Sequence, residues 1–322
     1  MGGFNKKITG ILNDFGFLYE FVPSAFNRPI VDGCWTLELP QISKEQWRNP
    51  NFRLVIHAQD FCNYANNELC LELYAIENYY DQEYHRQIIF LHWDHALCNT
   101  YIGQIKCIEF PSHSWELVEG LKAQHSKWKS VYAKGKKKYN FICLNGYPRA
   151  HRNRMYKILK DHKSGLATHR THNDYKKAPY AKYNFNNVEN FIKLKSLYKS
   201  AKASIVTESI YSDAPGIITE KTLLAIAAKH PFMCIGHQNI HAEIAERGFE
   251  NYDEIFDLDY DTIESEFRLE AAVQMNLENL IHKDFSVDIS EEKIERNFDF
   301  LMNDYMQSIE DRAIEQIKQF TL

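Results

Sequence analysis

No run of eighteen apolar residues occurs anywhere in the 322-residue chain, so a membrane-crossing helix is not expected. The opening MGGFNKKITG has no apolar stretch of the kind a secretory leader needs, and a cytoplasmic location is the expectation. Its Gly2 is followed by Lys6 where an N-myristoylation signal wants Ser or Thr, which argues against a lipid anchor. The seven cysteines are odd in number, form no C-x-x-C pair, and several sit inside apolar runs, such as Cys107, Cys143 and Cys234. They read as buried, reduced thiols. Fourteen histidines include no H-E-x-x-H spacing, so no metal ligand set is expected. No G-x-G-x-x-G follows a strand pattern, and a dinucleotide-dependent dehydrogenase is set aside. Acids outnumber bases by five, an unfavourable balance for a protein that coats nucleic acid.

What is present is an ordinary globular composition, 44% apolar and 25% charged, with aromatics at 14%. The length suggests two domains. From Arg53 onward, short apolar runs ending in polar residues alternate with helical patterns: RLVIHAQD (53–60), ELCLELYAIENYY (68–80), RQIIFLHWDHAL (86–97) and GQIKCIEFP (103–111), then a helix near Trp115–Gln124. That rhythm predicts an α/β domain with a mostly parallel sheet. Pro23, Pro29, Pro40 and Pro50 break up the first fifty residues, where CWTLELP is the one strand candidate. After the lysine-rich Lys122–Lys138 the pattern restarts with strand, Asn145-Gly146 turn and helix. It continues through strand candidates 165–174, 203–209 and HPFMCIG, with a last one at Asp253–Leu258, and ends in acidic helices. The predicted organisation is two Rossmann-like doubly wound domains, residues 1–135 and 136–300, with a C-terminal helix over 301–322.

Two helix starts carry the wrong charge for their dipoles. Arg149 and Arg152 open the helix after Pro148, and Lys221 opens the one capped by Thr219. A cation at a helix N-terminus is repelled by the dipole unless an anion sits between them. Glu220 reads either as an ordinary first-turn acid or as an acceptor for sugar hydroxyls. Both starts follow strands, where open α/β sheets bind ligands, and the pair suggests a diphosphate.

The order Thr207-Glu208-Ser209, then Ile217-Ile218-Thr219-Glu220-Lys221, then an apolar helix and HPFMCIG, resembles the donor motif of α-1,3-fucosyltransferases. It also resembles that of related glycosyltransferase-like proteins of bacteriophages and large viruses. In that family an E-N-S element precedes Y-V-T-E-K; here Ser209 matches and the middle Asn does not. The resemblance spans roughly Tyr139–Tyr252 and implies a GT-B glycosyltransferase, inverting and without an obligatory metal or cofactor. The donor would be a nucleotide-diphosphate sugar held by Arg149, Arg152, Glu208, Ser209, Thr219, Glu220 and Lys221. An inverting transferase also needs a base to deprotonate the acceptor hydroxyl. Asp94 and Asp60, each just past a strand of the first domain, are the candidates, and each reads equally as a helix cap.

The acceptor implied is a glycan. A second possibility is DNA carrying hydroxymethylated bases, approached by Lys127, Trp128, Lys136 and Lys137 in the lysine and aromatic stretch, which otherwise reads as a solvated linker. If phage- or virus-encoded, the protein would work in the host cytoplasm. A non-catalytic nucleotide-binding module of the same fold is the remaining alternative.

Overall fold

The computed structural model describes residues 2–22, 39–57, 71–92, 98, 103–132, 137–146, 148–169, 188–213, 217–282 and 291–319. The chain is α/β and divides into two compact units, Met1–Glu116 with Gln307–Leu322, and Leu117–Met306. Each contains one four-stranded parallel sheet. Among the described residues no helix is long and apolar enough to cross a membrane.

In unit 1 the strands β1 (Leu18–Val22), β2 (Phe52–His57), β3 (Ile88–His92) and β4 (Lys106–Glu109) lie side by side in chain order. All of β3 is buried, and only Arg53 in β2 is partly exposed. Continuous burial of this kind belongs to a parallel sheet covered on both faces. Helix α1 (Gly2–Asp14), α2 (Lys44–Arg48), α3 (Leu71–Tyr79) and the start of α4 (Ser112–Ala123) supply much of the cover. Trp47 of α2 stacks on Tyr84 at 4.7 Å and meets Phe52 and Tyr80 edge-on, closing the core that Leu54, Ile56, Phe90 and Ile76 fill.

Unit 2 contains β5 (Tyr139–Asn145), β6 (Gly165–His169), β7 (Ala201–Thr207) and β8 (Phe232–Ile235), ordered β6-β5-β7-β8. The order runs outward in both directions from β5, so the chain reverses its direction of winding between β5 and β7. The carboxyl ends of that strand pair form the topological switch point, where such sheets open a crevice. After α5 (His125–Trp128), the helices are α6 (Ala150–Leu159), α7 (Val188–Lys199), α8 (Glu220–Ala227), α9 (Ile240–Glu246) and α10 (Ser265–His282). Helix α8 is buried all round from Thr222 to Ala227, which is what its uninterrupted TLLAIAA run requires. The closing helices α11 (Glu291–Asp299) and α12 (Tyr305–Lys318) are joined by a π turn at Phe300–Asp304.

The expected strand at Asp253–Leu258 is a turn, followed by a 3-10 turn at Asp259–Thr262. Side chains explain the difference. The outward N–H and C=O of Cys234 on edge strand β8 are taken by His241 Nε2 and Tyr260 Oη at 3.1 and 2.6 Å. The backbone of Asp257 is paired on both sides by the Asn276 amide at 2.8 and 2.9 Å. The edge is thus closed without another strand.

Gly248 has φ +96°, and a Cβ there would stand 2.7 Å from the Phe300 ring. Gly248→Ala is expected to cost about 1–3 kcal/mol from backbone strain alone, read as a lower urea midpoint at unchanged slope.

Candidate functional site

The switch point is built from the strand ends upward. Asn145 closes β5 and Thr207 closes β7, and the threonine hydroxyl donates to Asn145 Oδ1. The next residue, Glu208, is fully buried. Its Oε1 accepts from the Thr219 amide at 3.1 Å and the Thr222 hydroxyl at 2.6 Å. Its Oε2 accepts from the Ser209 amide at 3.2 Å and from the Thr219 hydroxyl. Four donors satisfy the carboxylate, as burial of a charge demands, and they tie the first turn of α8 to the end of β7.

That fixing sets the position of Lys221. Its ammonium donates to Ser209 Oγ at 3.0 Å, Thr219 Oγ1 at 3.1 Å and Glu220 Oε1 at 2.6 Å. Burial raises the cost of charging Glu220, yet the Lys221 ammonium, with Arg152 further off, holds its carboxyl below the usual carboxylate range. Lys221 and Glu220 keep about 15% of their side-chain surface open.

The start of α6 converges on the same backbone. Arg152 is buried, and its Nη2 donates to the carbonyls of Thr207 and Glu208 at 3.2 and 3.0 Å. Desolvation, then repulsion from Arg149, brings its pKa down to about 10. His151 Nε2 donates to the Glu208 carbonyl at 2.9 Å, and the ring stacks on Tyr211 at 5.0 Å. Burial, then Arg152, Arg149 and Lys221, push this imidazole down to about 3. It is therefore neutral, with its proton on the nitrogen that faces the carbonyl. Arg149 is the residue before α6, and no side chain caps that helix. The Arg149 Nε–H is buried without a hydrogen-bond acceptor among the described residues.

Three cations and two carboxylates thus meet at the ends of β5 and β7, leaving one net positive charge beside two helix N-termini. Below them, a cavity of about 40 Å³ between α7, α8 and the sheet has Thr207 and Lys221 on its wall. It has room for a little water and none for a nucleotide.

All the residues expected to hold a donor (Arg149, Arg152, Glu208, Ser209, Thr219, Glu220 and Lys221) stand in this one place, in different roles. Glu208 and Arg152 are spent on holding protein backbone. Lys221, Glu220, Ser209 and Arg149 retain surface or donors. Sequence reasoning missed His151, Thr222 and Asn145. Thr222, three residues after the cap at Thr219, was legible as a same-face neighbour; the other two carried no pattern.

Arg268 keeps the rim rigid. Fully buried, it donates to the carbonyls of Ser212, Gly236 and Ile263 at 2.9, 2.9 and 2.7 Å and pairs with Asp213 at 2.7 Å. The loops after β7 and β8 are thereby fixed to α10.

Of the residues expected to face an acceptor, Trp128 is entirely buried. Its Nε1 donates to the Leu121 carbonyl at 2.9 Å, and its ring packs on Phe191 and Phe298. It is a core residue and offers no face to a base. Lys127 is exposed, and Lys137 is half-buried with its ammonium on the Lys199 carbonyl at 3.1 Å. Asp60, Asp94 and Lys136 lie outside the described residues. Among the described residues no group of three or more His, Cys, Asp or Glu side chains is placed to hold a metal ion. No family model, curated protein or solved structure matches the chain.

Proposed function

We propose that the chain is a glycosyltransferase of the GT-B type, whose unit 2 binds a nucleotide-diphosphate sugar at the β5/β7 switch point. The observation that carries this reading is the meeting of Lys221, Arg149 and two helix N-termini at the crevice where doubly wound sheets receive phosphates. Lys221 and Arg149 would neutralise the charge that grows on the leaving diphosphate, stabilisation that needs no proton transfer. Glu220 Oε2, which accepts no side-chain hydrogen bond among the described residues, would take the ribose hydroxyls. Arg152 and Glu208 would hold the loop that presents these groups. Deprotonation of the acceptor remains with Asp60 or Asp94.

The test is a thermal-shift screen against UDP, GDP, CMP and their sugars, for the native protein and Lys221→Ala. One nucleotide diphosphate is expected to stabilise the native protein by about 2.7 kcal/mol at a hundred times its Kd, a rise of a few degrees. Losing a charge-assisted phosphate contact costs about 1.5–3 kcal/mol, so Lys221→Ala should need roughly 10–150-fold more ligand. No response to any nucleotide would end the transferase reading. Binding without turnover would leave a nucleotide-binding module.

A further inference from the structure

The opposite edge of the same sheet carries a second charged feature that the donor site does not use. Lys127 and Lys129 lie at the turn of α5 into the 3-10 segment Lys129–Tyr132; Lys137 and Lys138 immediately precede β5; Lys195 and Lys199 are on α7, which leads into β7. All six therefore cluster toward the amino-terminal edge of the sheet, away from Glu208, which follows β7.

Contacts link four of them in pairs. The Lys195 ammonium donates to the Lys127 carbonyl at 3.1 Å, and the Lys137 ammonium to the Lys199 carbonyl at 3.1 Å. Lys195 and Lys199 are four apart on one face of α7, roughly 6 Å along its axis. None of the six forms an ion pair among the described residues, whereas Lys229, Lys293 and Arg296 of the same unit all do. The one acid on these elements is Glu189, in the first turn of α7 at the far end from Lys199, and Glu295, whose charge reaches Tyr132, is paired with Lys229. The helix dipole accounts for a cation at Lys199 and for none of the others.

We infer that this cluster is a docking surface for the phosphate backbone of double-stranded DNA. Charge complementarity selects a polyanion, and the neighbouring side chains select which one. Single strands are held by bases stacked on exposed aromatics, but Trp128 is in the core and Lys138 covers the Tyr139 ring at 4.8 Å. Anionic bilayers are usually gripped by apolar side chains beside the cations, but the exposed large hydrophobics among the described residues are Leu18, Tyr79 and Phe267, none on these elements. What remains is a cluster of lysines, suited to phosphates without reading sequence. The inference stands apart from the donor site and does not depend on it.

The experiment measures binding of a mixed-sequence 30-base-pair DNA duplex by fluorescence anisotropy between 50 and 200 mM salt. The native protein is run beside Lys195→Gln/Lys199→Gln, with phosphatidylserine vesicles and a single strand of the same sequence as parallel probes. With five or so phosphates engaged, affinity is expected to fall about 10²–10³-fold across that range, and the double variant to flatten the log–log slope by about two. Lys199 is exposed and Lys195 partly so, and glutamine keeps a donor for the Lys127 carbonyl, so the variant should melt close to the native protein. Preference for the single strand or the vesicles, no duplex binding, or a slope unchanged in the variant would each overturn the inference.

Discussion

Lowering the pH from 7 to 5 is expected to remove about 4 kcal/mol of stability from each unit. Each contains two imidazoles that burial pushes down to about 3, His57 and His92 in unit 1 and His151 and His230 in unit 2, and burial also lowers His241 of unit 2, which adds to that unit's loss. In an unfolded chain the same groups titrate near 6.5. Above that pH both states are neutral and nothing is gained or lost. Between 6.5 and 3 the unfolded chain binds a proton that the folded chain refuses, so stability falls as the pH falls. At pH 5 the linkage amounts to about 2 kcal/mol per histidine, a large share of an ordinary stability of about 5–15 kcal/mol. Glu220 and Glu243, whose pKa values are also lowered, add to the loss only below the carboxylate range. Urea unfolding at pH 7, 6 and 5 isolates the histidines. A dependence shallower than one proton per unit over that window would mean that these rings are not held neutral.

The second large effect is expected at Glu208. Removing its carboxylate with Glu208→Ala strands the Thr219 and Ser209 amides and the Thr222 hydroxyl, which now bond to it. Uncompensated loss of a buried charged acceptor costs about 3–5 kcal/mol. Glu208→Gln keeps the shape but turns one acceptor into a donor facing donors, and about 1–3 kcal/mol should follow. Both variants should also weaken nucleotide binding, because the first turn of α8 is positioned through this residue. Equilibrium unfolding read beside nucleotide affinity separates the two consequences. A variant that is destabilised yet binds nucleotide as the native protein does would show that Lys221 finds its place without Glu208.

These effects explain why the site was only half legible beforehand. The cations at Arg149, Arg152 and Lys221 announced themselves by being at the wrong end of a dipole, and the strands β2, β3, β5, β7 and β8 by continuous apolar runs. The partition of labour was not visible. Nothing in the residue type tells Arg149 from Arg152, whose Nη2 serves two carbonyls. That depends on where the β7 backbone turns. Trp128 misled because an aromatic among lysines looks the same whether it faces solvent or Phe191. Asp253–Leu258 misled because a short, partly apolar segment fits a strand, and the side chains of Asn276, His241 and Tyr260 occupy the backbone groups that strand pairing would take. Helix α1 and strand β1 went unread in the first fifty residues. Strand β1 is an edge strand with no buried position, so it lacks the apolar run that marked the others.

The split of unit 1 into Met1–Glu116 and Gln307–Leu322 bears on the order of events at the ribosome. Helix α12 belongs to the first-made unit: Gln316 accepts from the Glu109 amide at 2.8 Å, and Glu310 accepts from Trp115 at 3.1 Å and pairs with Lys7 at 2.7 Å. Its Ile309, Ala313 and Ile317 are buried. At about 5–20 residues per second, translating the intervening Leu117–Met306 takes roughly 10–40 s. Throughout that interval the nascent amino-terminal unit lacks its last helix, which is made only after the whole of the second unit. The half of the protein synthesised first is thus the half completed last, and during that wait it is the natural client of a chaperone.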